Sequence, residues 1–227
     1  AKKELEAEGQ VFSPWHWENW FDIKNVKATD EMGPKYDYHS WQGFSSLAPF
    51  RDKDFPGYSA TTPKHTDLGD YLLYGKGGEK GVIMKWFDYG LSGWRLDVAK
   101  EVPPGFWADV RDEVKSIKTQ NGDDPLLLGE IWQDGSQFFT GDTMDSVMNY
   151  KLSDAIMRFV MGGKAQDSDD VLTQLRQNYP KEALYDLMNI VDSHDTMRAI
   201  YKFGGGKDNV AQAARQDFKY ALGKARL

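Results

Sequence analysis

The sequence predicts an α/β protein in which a parallel β-sheet occupies the chain after residue 80. From there on, short apolar runs alternate with amphipathic segments, which is typical of successive strand–helix units. The run Leu126–Ile131 is almost continuously apolar, as expected for a strand buried on both faces. Between these runs, apolar residues recur at spacings of four, four and three, which places them on one helix face: Phe106, Val110, Val114 and Ile117.

The composition supports a folded core and excludes several classes of site. Of the 227 residues, 40% are hydrophobic and 28% are charged, which excludes wholesale disorder. The net charge of -7 is opposite in sign to the surface that a nucleic-acid-binding protein needs. No run approaches the roughly 20 apolar residues of a membrane span. Cysteine is absent, which excludes disulfides and thiolate metal sites. We therefore expect no nucleic-acid partner and no membrane partner.

Residues 1–80 differ in composition from the rest of the chain. They are rich in aromatic residues, Gly, Pro and His, and they show little sustained periodicity. We predict a loop-rich insertion domain over 1–80 and a sheet-and-helix segment over 81–227. Most aromatic residues between Trp15 and Tyr58 are expected to fill the core of that domain, whereas one or two, such as Trp41, line a cleft.

The first predicted elements of the second segment are a helix, a strand and a further helix. Residues Gly81–Tyr89 are predicted to form a helix that leads into a strand at Gly93–Val98. Pro103 and Pro104 suit the first turn of the next helix, which carries the apolar face described above.

Three more strands are predicted, at Leu126–Ile131, Asp145–Asn149 and Leu184–Val191. Helices are predicted after Asn149, through Val160, and over 169–178, where an aspartate cluster supplies the N-cap. A final helix is predicted at Asn209–Leu227. Four strand–helix units of about 30 residues match the repeat of a (β/α)₈ barrel. Because four is half of eight, the predicted sheet is open.

Acidic residues stand at the ends of two of these strands. Arg95 and Asp97 are two residues apart and share a face of the first strand, where the guanidinium would hold the carboxylate ionised, as a nucleophile requires. A purely structural ion pair is the alternative. Glu130 ends the second strand among apolar neighbours, which favour the protonated form of a general acid. Its alternative role is to cap the next helix.

A third acid, Asp195, follows the last strand beside His194. A His–Asp pair in a loop usually has no function, but this one follows a strand of the same sheet. An ionised carboxylate and a protonated carboxyl suit glycoside hydrolysis, in which one attacks and the other protonates the leaving oxygen. The third acid could bind sugar hydroxyls.

Four segments together resemble the α-amylase family of retaining glycoside hydrolases, and especially its neopullulanase, cyclomaltodextrinase and amylopullulanase branch. They are GLSGWRLDVAKEV, LLLGEIW, MDSVMNY and LMNIVDSHDT, and they follow one another in the family's order. The resemblance implies a partial TIM barrel of about strands 4–7. It also implies that the segments WFDIKN and YHSWQGF belong to the insertion after the third barrel strand.

The resemblance also implies roles for single residues. Asp97 would be the nucleophile, Glu130 the general acid/base and Asp195 the transition-state stabiliser. Substrate-binding positions would be Arg95, His194, Trp132, Lys100, Glu101 and Trp41. The branch usually has asparagine at the position of Lys100, which affects bond specificity. No residue is expected to bind a catalytic metal, and the family is compatible with a structural calcium ion.

By this resemblance the chain is expected to be a retaining hydrolase of α-1,4 and also α-1,6 bonds in starch, pullulan or maltodextrins. The family's D-x-x-x-N-H motif is not in the sequence. We therefore expect an interior piece of the catalytic domain that needs further barrel segments or a partner chain. The alternatives are a catalytically incomplete glucan-binding fragment, half of a split barrel, or an unrelated barrel that performs metal-assisted hydrolysis.

Overall fold

The computed structural model describes residues 20–21, 25–30, 33–37 and 47–203 of the chain. Contacts between residues divide it into two compact units, which alternate along the sequence. The first comprises Ala1–Ser92 with Val102–Pro125, and the second comprises Gly93–Glu101 with Leu126–Leu227. The division of the chain at residue 80 stays a prediction.

The first unit contains a β-hairpin and several short helices. Strand β1 (Asn25–Asp30) pairs antiparallel with β2 (Gly33–Asp37). Helix α1 (Asp67–Gly69) continues into a π-helical turn at Asp70–Tyr74. Helix α2 (Val82–Lys85) continues into a 3₁₀ turn at Trp86–Tyr89.

Among the described residues of this unit, the longest helix is α3, which spans Pro104–Lys115 and begins after Pro103, as the two prolines predict. Its predicted apolar face is buried at Phe106, Val110 and Val114, and the helix ends before Ile117.

Aromatic side chains form much of the core of the first unit. Trp20 and Leu68 are buried together, and four partly buried residues pack against them: Phe21, Phe55, Tyr71 and Leu72. One close backbone approach requires a glycine, because Gly57 has a φ of 72° and a Cβ there would lie 2.1 Å from the Phe106 nitrogen.

The second unit is a four-stranded parallel sheet with helices, which confirms the predicted α/β class. The strands lie in the order in which they occur along the chain: β3 (Gly93–Leu96), β4 (Leu126–Gly129), β5 (Ser146–Asn149) and β6 (Met188–Asn189). Gly93 pairs with Leu126, Leu128 with Ser146, and Met148 with Met188. The α-helices that the structure describes in this unit are α4 (Tyr150–Val160), α5 (Ala165–Asn178), α6 (Lys181–Tyr185) and α7 (Ala199–Phe203).

Several boundaries differ from the predicted ones. Strand β3 ends at Leu96 rather than Val98, because the chain turns at Asp97. Helix α5 begins four residues earlier than predicted, after Lys164, whose side chain makes no capping bond. The strand predicted at 184–191 is reduced to β6, because the segment after Pro180 first forms α6.

The helix predicted at Asn209–Leu227 lies outside the described residues. Among the helices that the structure describes, none is long and apolar enough to cross a membrane.

Candidate active site

Asp97 lies in the turn directly after β3, and its side chain is 71% exposed. Nη1 of Arg95 donates a hydrogen bond to Oδ1 of Asp97, so the predicted pair is formed. Nη2 of the same guanidinium is buried and has no hydrogen-bond partner among the described residues. The arrangement leaves the carboxylate accessible while one side of it is held by a permanent positive charge.

The residue after Asp97 has an uncommon backbone conformation. Val98 has a φ of 45°, in the left-handed region that a β-branched residue rarely adopts. Its backbone N–H donates to Oε2 of Glu130 at 2.8 Å. The turn that carries Asp97 is therefore bonded directly to the Glu130 carboxyl group.

Glu130 follows β4 and is only 4% exposed. Its backbone N–H donates to the Leu96 carbonyl at 2.8 Å, and its own carbonyl accepts from the Ala99 N–H at 3.2 Å. Its second carboxyl oxygen, Oε1, accepts a hydrogen bond from Nε1 of Trp132. Both carboxyl oxygens are thus hydrogen-bonded, as a buried carboxyl group requires.

Trp132 and Tyr150 form a stacked aromatic pair beside Glu130. Their ring centroids are 4.6 Å apart and the planes are inclined by 13°. Trp132 is 45% exposed, whereas Tyr150 is buried. An exposed indole next to a carboxyl group can stack on the apolar face of a sugar ring, which agrees with a substrate-binding role for Trp132.

Asp195 lies in the loop after β6. His194 Nε2 and Asp195 Oδ2 are 3.2 Å apart, and both side chains are exposed. The Asp195 backbone N–H donates to Oγ of Ser193 at 3.2 Å, and the Tyr150 hydroxyl donates to the same oxygen at 3.0 Å. The Asp195 loop is therefore connected through Ser193, Tyr150 and Trp132 to Glu130.

Two of the remaining predicted site residues form an ion pair with each other. Lys100 and Glu101 lie in a 3₁₀ turn after Asp97, and Lys100 Nζ is 3.4 Å from Glu101 Oε1. Trp41 lies outside the described residues. The roles of all nine residues stay predictions, whereas the geometry brings Arg95 to Asp97, and Trp132 to Glu130.

Three residues of this network were not expected from the sequence. Tyr150 had a signal, because it directly follows a predicted strand within MDSVMNY. Ser193 had a weaker signal, its position beside His194. Val98 had none, because valine favours strands and not the left-handed conformation.

Within the residues that the structure describes, no three acidic or histidine side chains converge in a way that could hold a metal ion.

Comparison with known proteins assigns the family. The model of the α-amylase catalytic domain matches residues 76–221. Neopullulanase 2 of Thermoactinomyces vulgaris is 44% identical over 193 residues, which are 84% of this chain and 29% of that protein. A cyclomaltodextrinase of Geobacillus thermopakistaniensis is 32% identical over 192 residues, which are 83% of this chain and 29% of that protein.

Solved structures agree with this assignment. The cyclic α-maltosyl-(1→6)-maltose hydrolase of Arthrobacter globiformis, in complex with cyclic α-maltosyl-(1→6)-maltose, superimposes with a TM-score of 0.62 at 26% identity. The match covers 91% of this chain and 40% of that one. The parallel sheet is therefore part of a TIM barrel, and the chain spans about 29% of the length of the curated relatives. The sequence motifs, the sheet that carries them and these matches lead to one conclusion: the chain belongs to the α-amylase catalytic-domain family.

Proposed function

We propose that the chain carries the reacting groups of a retaining α-glucan hydrolase that cleaves α-1,4 and also α-1,6 bonds of starch, pullulan or maltodextrins. The observation that carries the proposal is the pairing of two unlike carboxyl groups at neighbouring strand ends. Asp97 is exposed and paired with Arg95, whereas Glu130 is buried and bonded through both oxygens. Two carboxyl groups in different surroundings are what double displacement needs.

The proposed reaction has two steps. In the first, an Asp97 oxygen attacks the anomeric carbon, the glycosidic C–O bond breaks, and Glu130 gives its proton to the leaving oxygen. In the second, Glu130 takes a proton from water, whose oxygen displaces Asp97 from the anomeric carbon. Asp195 would accept hydrogen bonds from sugar hydroxyls while positive charge develops on the ring. Interception of the glucosyl-enzyme by a sugar instead of water gives transglycosylation.

Substitution of the two carboxyl groups tests this proposal. We expect Glu130→Gln to lower kcat on maltotriose by about 10²–10⁴-fold, the range typical of a lost general acid. Asp97→Asn should abolish turnover, because no ester can form, and Asp88→Asn, on an exposed aspartate of the first unit, serves as the control. The anomeric form of the first product, measured by proton NMR, should be α. A β product, or full activity of Asp97→Asn, would contradict the proposal.

We further propose that the chemistry requires no cofactor, and that a calcium ion, if one binds, acts on stability alone. The same assay includes EDTA as one arm. An unchanged kcat with a lowered melting temperature would agree with a structural ion, whereas loss of kcat at unchanged stability would favour metal-assisted hydrolysis.

A second candidate function is glucan binding without turnover, as a catalytically incomplete part of the barrel. It is favoured by one observation: within the described residues, β3 and β6 each pair on one side only. Under this alternative the completing strands come from further segments of the same domain or from a partner chain. Calorimetry with maltoheptaose together with the turnover assay separates the two functions, because a binding module binds the glucan but releases no product, whether residue 97 is aspartate or asparagine.

A further inference from the structure

One buried side chain contacts two of the strand-end loops that carry candidate catalytic groups. Tyr150 is the first residue of α4 and is only 6% exposed. Its ring stacks on Trp132, in the loop after β4, and its hydroxyl donates to Ser193, in the loop after β6. We call these three residues, Trp132, Tyr150 and Ser193, the aromatic bridge.

Each end of the aromatic bridge is bonded to a residue with a proposed catalytic role. At one end, Nε1 of Trp132 donates to Oε1 of Glu130. At the other end, Oγ of Ser193 accepts from the Asp195 backbone N–H at 3.2 Å and from the Tyr150 hydroxyl at 3.0 Å. A serine oxygen has two lone pairs, so the two donors occupy both.

Tyr150, the central residue of the aromatic bridge, is held in place by the residues around it. Asn149, which precedes Tyr150, caps α4 by accepting from the Leu152 N–H at 3.0 Å, and it donates to Asn189 of β6 at 3.0 Å. Tyr150 also belongs to a buried apolar cluster with Leu128 and Met148. The tyrosine ring therefore has little freedom to move, and it can hold the partly exposed indole in one orientation.

We propose that Tyr150 is a positioning residue, which fixes the acid/base Glu130 through Trp132 and the Asp195 loop through Ser193. The proposal rests on the proposed function, because it assumes the roles of Glu130 and Asp195. Its physical basis is that proton transfer to a leaving oxygen demands a defined carboxyl orientation, and a displacement of about 1 Å can cost on the order of 10²-fold in rate.

Two variants of Tyr150 separate the two contacts. Tyr150→Phe keeps the ring that stacks on Trp132 and removes the hydroxyl, whereas Tyr150→Leu removes both. Trp132→Phe is the matched variant for the Glu130 contact, because it keeps an aromatic ring and removes the Nε1 donor. Ser193→Ala is the matched variant for the Asp195 contact.

Leaving-group dependence distinguishes positioning of the acid from a general structural defect. Fluoride needs no proton to depart, whereas the sugar that leaves maltotriose does. We expect Tyr150→Leu to lower kcat on maltotriose by about 10²-fold. The loss on α-maltosyl fluoride should be at least tenfold smaller, with KM changed less than threefold on either substrate. Tyr150→Phe should restore the ratio of the two rates to the wild-type value. Equal losses on both substrates would overturn the proposal.

A second measurement does not require turnover, so failure of the proposed function is distinguishable from failure of this inference. In ¹H–¹⁵N spectra of the full chain, the Trp132 indole signal is identified by its loss in Trp132→Phe. We expect Tyr150→Leu to shift that signal. We expect both Tyr150→Phe and Ser193→Ala to shift the Asp195 amide, and the two changes together should shift it no further than one alone.

The outcomes are decisive in either case. An unmoved Trp132 indole in Tyr150→Leu, or an unmoved Asp195 amide in Tyr150→Phe, would overturn the inference. If Tyr150→Leu does not fold, Tyr150→Phe, Ser193→Ala and Trp132→Phe carry the test. Coupled shifts together with full activity of Asp97→Asn would support the aromatic bridge and refute the proposed function.

Discussion

At the scale of single residues, Val98 joins an unfavourable backbone conformation to the candidate site. Its φ of 45° is left-handed, a conformation that costs on the order of 1–3 kcal/mol for a residue other than glycine. The same residue connects the exposed Asp97 to the buried Glu130 through its backbone N–H. Strain of this kind persists only where surrounding contacts hold it, and here those contacts are bonds to Glu130 and its neighbours.

Replacement of Val98 by glycine and by alanine should reverse the usual order of stability. Both changes remove the branched side chain and keep the N–H, but only glycine adopts a positive φ without a steric penalty. We expect Val98→Gly to be more stable than Val98→Ala by about 1 kcal/mol, measured by urea denaturation. At exposed Asp154 within α4, the same pair of changes should give the opposite order, because alanine is the better helix former. If Val98→Ala is as stable as Val98→Gly, the left-handed backbone at residue 98 is not strained.

Residue types predicted the candidate site residues and the Arg95–Asp97 pair, but not the hydrogen bonds from Val98 to Glu130 and from Tyr150 to Ser193. Arg95, Asp97 and Glu130 were selected as candidates because charged residues near the ends of apolar strands are conspicuous. The contact between Tyr150 and Ser193 joins residues 43 positions apart, and no local pattern reports such a pair. Val98 was predicted as the end of a strand because β-branched residues favour strands, and the turn overrides that preference.

At the scale of elements, the C-terminus of α5 is anchored to the loop after β4. The Tyr179 hydroxyl accepts from the Gly135 N–H at 2.6 Å, and burial raises the pKa of Tyr179 to about 12. Asp134 accepts from the Ser136 N–H at 2.8 Å and from the side-chain amide of Asn178. Burial opposes ionisation of Asp134, but the bonds from Ser136 and Asn178 outweigh it, so its pKa is lowered.

This anchor makes stability depend on pH in a defined direction. Because the folded pKa of Asp134 lies below its unfolded value of about 3.9, the group stabilises the fold above that value. The contribution is lost as the pH falls through the folded pKa. We expect Asp134→Asn to lower the melting temperature at pH 6 more than at pH 3. Asn178→Ala removes one donor and leaves the carboxylate. In that background, the melting-temperature losses caused by Asp134→Asn at pH 6 and at pH 3 should differ less. If Asp134→Asn lowers the melting temperature equally at pH 3 and pH 6, the ionised Asp134 carboxylate does not stabilise the fold.

Helix and strand boundaries were predicted well where particular residues mark the start of an element, and less well where no such residues mark it. Pro103 and Pro104 marked the start of α3, which the structure confirms. The aspartate cluster at 167–170 predicted an N-cap, but α5 begins earlier, so Asp167 lies in its first turn. A negative charge in the first turn also interacts favourably with the helix dipole, so the cluster suits a helix start at either place. At 184–191 the apolar run predicted a strand, but the segment after Pro180 first forms α6, and only Met188–Asn189 pair as β6.

At the scale of the whole molecule, the sheet explains how motifs that are distant in sequence reach the same end of the fold. In a parallel sheet all carboxyl ends lie on the same edge, so acids that follow successive strands are collected there without any direct sequence relationship. Strands β3, β4, β5 and β6 have this order, and the motifs that contain Asp97, Glu130 and Asp195 follow three of them. The strand order was therefore predictable from the sequence, whereas the completion of the barrel depends on residues beyond these four strands.

A chimera tests whether the activity of this sheet depends on completion of the barrel. Within the described part of the chain, β3 and β6 leave one edge each of the sheet unpaired, and exposed edges are unfavourable unless they are covered. The family fold closes its sheet into a barrel, which removes both edges. We expect a chimera, in which the matching 84% of this chain replaces the corresponding segment of neopullulanase 2, to hydrolyse maltotriose at least tenfold faster than the chain alone and to melt at a higher temperature. The same chimera with Asp97→Asn should fold equally well and lack activity, which assigns the turnover to this chain. If the chain alone is as active as the chimera, the four described strands need no completion. The carboxyl ends of these strands would then form the site correctly without the remaining strands.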